Sequence, residues 1–148
     1  MSKSAYIPYD LSKLIDNSNA MIIPNGLLNG DDITSFNITN NGVLKQIEIG
    51  NDCFGKVRVF ELDGLSELES VVIGQHSFRI GGSERSDGWY RIVNCPKLAS
   101  IQIGYESIQD YHSFELRNLP SLQSIVLSDR CFNWAPSFSL TGLTDGLV

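Results

Sequence analysis

No run of apolar residues in this 148-residue chain approaches the roughly 18 that a helical membrane span requires, so no span is expected. Met1 to Asp10 holds one lysine and no apolar run, so neither a secretory leader nor a transit peptide is visible; this favours a cytoplasmic location. Cysteine is sparse. Cys53, Cys95 and Cys131 are an odd number, which fits a reducing compartment better than a disulfide framework. Basic residues are outnumbered, 11 against 17 acidic, giving a net charge of −6. A phosphate backbone would be repelled, and no nucleic-acid partner is expected.

Catalytic residue types are equally thin. Histidine occurs only at His76 and His112. No C-x-x-C or H-E-x-x-H spacing exists, and Gly81-Gly82 lacks the strand-loop-helix context of a phosphate cradle. No catalytic residue, cofactor or metal site is expected, and an enzyme is not the expected class.

What the chain does contain is a repeat. Leu44-Lys-Gln-Ile-Glu-Ile-Gly50, Leu68-Glu-Ser-Val-Val-Ile-Gly74, Leu98-Ala-Ser-Ile-Gln-Ile-Gly104 and Leu122-Gln-Ser-Ile-Val-Leu-Ser128 share one pattern, their starts 24, 30 and 24 residues apart. A second apolar block follows each: Phe60-x-Leu62-xx-Leu65, Tyr90-x-Ile92-xx-Cys95, Phe114-x-Leu116-xx-Leu119 and Phe138-x-Leu140-xx-Leu143. Between the blocks runs a further column of Phe54, Phe78, Ile108 and Phe132. A step of 24 back from the first full unit sets Ile23 under Ile47, Gly26 under Gly50, Phe36 under Phe60 and Ile38 under Leu62.

Alternation of the Ile-x-Ile and Phe-x-Leu kind is the pattern of half-buried strands, two per turn. No unit can bury its apolar side chains alone, but stacked copies make a continuous column. The expected fold is a β-rich solenoid. The array spans residues 20–148, with units 20–43 (degenerate), 44–67, 68–97 (carrying a six-residue insertion), 98–121 and 122–148. Asn40, Gly64, Asn94, Asn118 and Gly142 follow the second strand of each unit and suit a corner with positive φ. Residues 1–19 are expected to cap the array, with Leu11, Leu14 and Ile15 on one face of a short helix opened by Asp10.

Asn94-Cys95-Pro-Lys-Leu98-Ala-Ser-Ile101-Gln-Ile103-Gly104 resembles the C-xx-L-xx-I-x-I core of the BspA-like leucine-rich-repeat family, and the frame recurs from Leu65 and Leu119. Glycine stands where that family usually has proline after the first strand. The resemblance implies a right-handed coil with a parallel sheet of short strands, and an activity of protein or glycan binding.

Polar candidates have plain structural readings. His76 shares a column with Asp52, Glu106 and Arg130, as expected of a solvated face. Cys53 and Cys131 share one with Ser77 and Ser107, where small size explains them, and Cys95 replaces a core leucine. Asn37-Ile-Thr39 matches a glycosylation sequon, which matters only in a secretory setting. Aromatic residues on the solvent side stand out more. Trp89 ends the insertion, Tyr111 lies in the next arc and Trp134 in the last.

Insertions in repeat proteins map to loops on one face, often the binding face, and Trp, Tyr and Arg dominate interface energetics. Arg79, Arg85, Trp89, Tyr111, His112 and Trp134 are therefore the candidate partner-binding residues of a non-catalytic protein-interaction module. A self-assembling structural repeat protein and a carbohydrate-binding adhesin are the competing readings. Beyond Leu143 only five residues remain, so the last turn is expected to expose its strand edges and the end of the apolar column. That end is expected either to continue into further repeats or to pack on a second copy through Leu140 and Leu143, as a homodimer.

Overall fold

The computed structural model describes residues 11–79, 88–109, 111–131 and 137–143, without the side chains of residues 12, 137 and 138. Ten strands follow a 3-10 helix, Leu11–Leu14: β1 Ala20–Ile23, β2 Ser35–Thr39, β3 Gln46–Ile49, β4 Val59–Asp63, β5 Ser70–Ile73, β6 Trp89–Val93, β7 Ser100–Ile103, β8 Ser113–Leu119, β9 Ser124–Leu127 and β10 Ser137–Leu143. They form two parallel sheets, the odd strands in the order β1-β3-β5-β7-β9 and the even strands in the order β2-β4-β6-β8-β10. The chain is a β-solenoid in which each turn gives one strand to each sheet. Strand pairing steps by 24, 30 and 24 residues from Gln46 through Ser70 and Ser100 to Ser124. No helix among the described residues is long and apolar enough to cross a membrane.

Alternation decides the burial. Ile47, Ile49, Val71, Ile73, Ile101 and Ile103 point inward from the first sheet and are buried, as are Phe36, Phe60, Leu62, Tyr90, Ile92, Phe114 and Leu116 from the second. The intervening Glu48, Gln102, Glu61 and Glu115 face out. Parallel register turns the aromatic column into a stack, with ring centroids 4.7 Å apart for Phe36–Phe60, 3.9 Å for Phe60–Tyr90 and 5.6 Å for Tyr90–Phe114. Phe54 and Phe78 stack at 5.0 Å and meet that column edge-on. Such offset and edge-to-face pairs add about 0.5–1.5 kcal/mol each beyond area burial.

The corners follow the sequence pattern. Asn40, Gly64, Asn94, Asn118 and Gly142 all have positive φ, between 53° and 73°. Two further columns with positive φ were not foreseen: Gly26, Asp52, His76, Glu106 and Arg130, and Leu28, Phe54, Phe78 and Ile108. The arc from the first sheet to the second thus bends by alternate left-handed residues, and bulky side chains accept that conformation because the stack holds them in the core. Between these columns a polar spine runs through the arcs. The Ser77 hydroxyl donates to the Gly50 carbonyl at 2.7 Å and accepts from the Cys53 N–H at 3.1 Å. Ser107 likewise donates to Gly74 at 2.6 Å and accepts from Ser77 N–H at 3.1 Å. The Cys131 thiol donates to Gly104 at 3.0 Å. Small size is only part of the explanation for that column.

The first unit departs from the simple step of 24. Met21 pairs with Ile47 and Ile23 with Ile49, an offset of 26, while Phe36 pairs with Phe60 at 24. Ile23 therefore does not lie under Ile47, nor Gly26 under Gly50; Gly26 shares the positive-φ column of Asp52 and hydrogen-bonds to the Asn51 carbonyl. Two extra residues are taken up between Leu28 and Ile33. An even slip keeps the same side chains facing inward, which is why the pattern misleads there. At the start of the chain the expected helix is one 3-10 turn. Leu11 is buried, the turn packs against β1 and β2, and Ile15 bridges Met21 in antiparallel fashion.

Candidate functional site

The outward positions of β4, β6 and β8 carry a network of charged side chains. Parallel pairing sets Glu61 beside Arg91 and Arg91 beside Glu115. The guanidinium of Arg91 lies 3.5 Å from Glu61 and 2.9 Å from Glu115, and Arg117 reaches Glu115 at 3.3 Å. Charges of both signs interleave and cancel. Partly solvated pairs of this kind contribute about 0–1 kcal/mol each, so their effect is to fix side-chain positions and local neutrality more than to stabilise the fold.

Trp89 opens β6 beside this network. It pairs with Ser113 and is 38% exposed, high for the largest side chain of the sheet. Trp89, Arg91, Ser113 and Glu115 line a depression of about 290 Å³. His112 is exposed on the next turn, its N–H donating to the Gly88 carbonyl at 2.9 Å. This backbone bond sets His112 beside Gly88, the residue before Trp89.

The other candidates are placed differently. Arg79 is exposed, donates to the Gln109 side chain at 3.3 Å and lies 3.7 Å from Glu106. Tyr111 does not face solvent as expected: it is 1% exposed, and its hydroxyl donates to the Val57 carbonyl. It occupies the arc position held by Ile33 and Val57 in earlier units, which points into the core. Burial raises its phenol pKa well above the usual range. Arg85 and Trp134 lie outside the described residues. Leu140 is exposed, and Leu143 is half-buried against the core.

The column of His76 is a ladder of polar side-chain contacts. His76 sits 3.5 Å from Asp52 through Nδ1 and 3.4 Å from Glu106 through Nε2, and Arg130 reaches Glu106 at 3.3 Å. Glu106 is the least solvated member, its side chain 15% exposed. Among the described residues no cluster of histidine, cysteine and carboxylates is arranged to hold a metal ion. Burial raises the thiol pKa values of Cys95 and Cys131, which disfavours thiolate chemistry at either.

Arg91, Ser113 and Glu115 were not singled out from the sequence. Their signal was present in the middle and preceding positions of the Phe-x-Leu blocks, where Glu61, Arg91 and Glu115 succeed each other with alternating charge.

No protein-family profile matches the chain, and no curated protein or solved structure matches it significantly.

Proposed function

We propose that this chain is a non-catalytic protein-interaction module built on a leucine-rich-repeat solenoid of the BspA-like kind, with the outer face of β6 and β8 as its binding surface. The repeat assignment rests on the Leu-xx-Ile/Val-x-Ile/Leu frame of the first strand in the four units from Leu44 onward. The observation that carries the functional reading is Trp89. A half-exposed tryptophan at the mouth of a depression, ringed by Arg91, Ser113 and Glu115, is the composition of an interface anchor with a polar rim. His112 is exposed on the neighbouring turn. The local balance of Glu61 and Glu115 against Arg91 and Arg117, on a chain of net charge −6, disfavours nucleic acid.

The test compares affinity capture from a native proteome by the wild type, by Trp89→Ala and by Gln102→Ala, an outward substitution on the opposite sheet. The reading requires a protein enriched by the wild type and Gln102→Ala but lost with Trp89→Ala, followed by direct binding of that protein in purified form. Retention of every bound protein by Trp89→Ala would overturn it. Binding of Trp89 to a glycan array with no protein partner would favour the carbohydrate reading.

A further inference from the structure

The two ends of the solenoid are unequal. At the first end the 3-10 turn packs on β1 and β2, and the inward residues Met21, Ile23, Phe36 and Ile38 are all buried. At the other, β9 and β10 are the outer strands of their sheets. Leu127 is 41% exposed where its counterparts Ile49, Ile73 and Ile103 are at most 1%, and Leu140 is 48% exposed where Leu62, Ile92 and Leu116 are 0%. Side chains aimed into the core thus meet solvent, and among the described residues no strand pairs with the outer side of β9 or β10.

Proteins usually blunt such edges with charge, proline or a covering loop. These have no such guard within the strands: Ser124-Ile-Val-Leu127 and Ser137-Phe-Ser-Leu-Thr-Gly-Leu143 contain no charged residue and no proline. The chain carries a net −6, but none of its charged residues lies within either edge strand.

We infer that this end binds a second copy of the chain, β9 pairing with β9 and β10 with β10 in antiparallel fashion about a two-fold axis normal to the sheets. A second copy offers two strand edges at the separation of this chain's own two sheets by construction. Rotation about that axis reverses strand direction and keeps each sheet on its own side, so both sheets continue across the junction. With Val126 on the axis, Ile125 lies opposite Leu127 of the second copy, inward against inward, and Ser124 lies opposite Ser128. A shift of this register by one residue would oppose inward and outward side chains. Head-to-tail stacking is disfavoured because the 3-10 turn and the Ile15–Met21 bridge occupy the other end. A closed dimer follows, not a filament.

The register gives the test. Val126 faces outward and would stand opposite its own copy at an antiparallel Cα separation of about 4.5–5.5 Å, within disulfide range. In a Cys131→Ser background, Val126→Cys should form a disulfide-linked dimer on mild oxidation, and Gln102→Cys, one strand inward with neighbours on both sides, should not. Sedimentation of the unmodified chain should show a species of twice the 16.4 kDa protomer mass that dissociates on dilution. Val126→Arg should abolish it while leaving the circular dichroism and thermal transition of the protomer unchanged. A chain that stays monomeric at millimolar concentration, open-ended filaments, or equal cross-linking of the two cysteine variants would each overturn the proposal. None of these outcomes depends on the Trp89 surface.

Discussion

The hydroxyl of Tyr111 donates a hydrogen bond to the carbonyl of Val57, two turns earlier in the solenoid. The turn between them carries the six-residue insertion. Tyr111 thus spans a place where the arc departs from the repeat, and its length, not an interface role, accounts for a tyrosine where earlier units have Ile33 and Val57. Tyr111→Phe should remove the donor from a buried carbonyl and cost about 1–3 kcal/mol in denaturant unfolding. Tyr111→Ala should cost about 3–5 kcal/mol. A change below about 0.5 kcal/mol for both would place Tyr111 on the surface.

Alkaline pH should weaken the fold through the same residue and its neighbour. Burial raises the phenol pKa values of Tyr90 and Tyr111 well above 10, with each other's charge a lesser cause for Tyr90. In the unfolded chain both ionise near 10, while in the folded chain they remain protonated, so the unfolded state binds fewer protons above that pH. Stability is therefore fully present below pH of about 10 and falls as pH rises beyond it, by up to about 1.4 kcal/mol per pH unit for each phenol. Denaturant midpoints measured between pH 8 and 11.5 for wild type, Tyr90→Phe and Tyr111→Phe check this, since each substitution should flatten the alkaline slope. An unchanged slope in both variants would contradict it.

Most of the solenoid was legible because inward and outward residues alternate with a strict period while the repeat aligns the columns: Ile47, Val71 and Ile101, or Phe60, Tyr90 and Phe114. The corners were legible because Asn40, Gly64, Asn94, Asn118 and Gly142 are residue types that accept positive φ. The arcs were not. Phe54, Phe78 and Ile108 adopt positive φ against their intrinsic preference, a choice imposed by the stack that no local propensity reports. Of the candidate residues, the outward pattern located the exposed Trp89, the first residue of β6, and the exposed His112, whereas Tyr111 turns inward because its arc position, held by Ile33 and Val57 in earlier units, is a core position.

Close stacking of the strand ends explains a glycine column that the sequence shows but does not interpret. A methyl group added to Gly74 would stand 2.7 Å from the carbonyl carbon of Gly50 and 2.8 Å from its oxygen, and one added to Gly104 would meet the Gly74 carbonyl in the same way. Neither neighbour can rotate aside, as both are backbone. Gly74→Ala should force successive turns apart and destabilise by about 1–3 kcal/mol, although alanine has the better intrinsic propensity. Gly42→Ala, whose methyl would come no nearer than 3.8 Å to the Ser66 hydroxyl, serves as the control and should change stability by less than about 0.5 kcal/mol. Similar effects at the two glycines would show that the turns are not in close register.

Cys53 and Cys131 occupy one column and are both free thiols, yet no disulfide should join them within a chain. The column passes from Cys53 through Ser77 and Ser107 to Cys131, so three strand spacings of about 4.8 Å separate the ends, roughly 14 Å where a disulfide tolerates a Cα distance of at most about 7 Å. Their reactivity should also differ from that of ordinary thiols. Cys53 and Cys95 are fully buried, and burial holds the Cys95 thiol protonated above its usual range. Cys131 is half-buried, donates to the Gly104 carbonyl, and is raised by the same cause. In native buffer at pH 7, iodoacetamide should therefore modify Cys131 more slowly than a free cysteine and leave Cys53 and Cys95 untouched until the chain is unfolded. Raising the pH should speed the reaction at Cys131 only above the range where an unperturbed thiol has already ionised. Mass spectrometry of the alkylated peptides, with and without reduction, reads both expectations at once. An intramolecular Cys53–Cys131 bond in monomeric protein would be incompatible with stacked turns and would require a different fold.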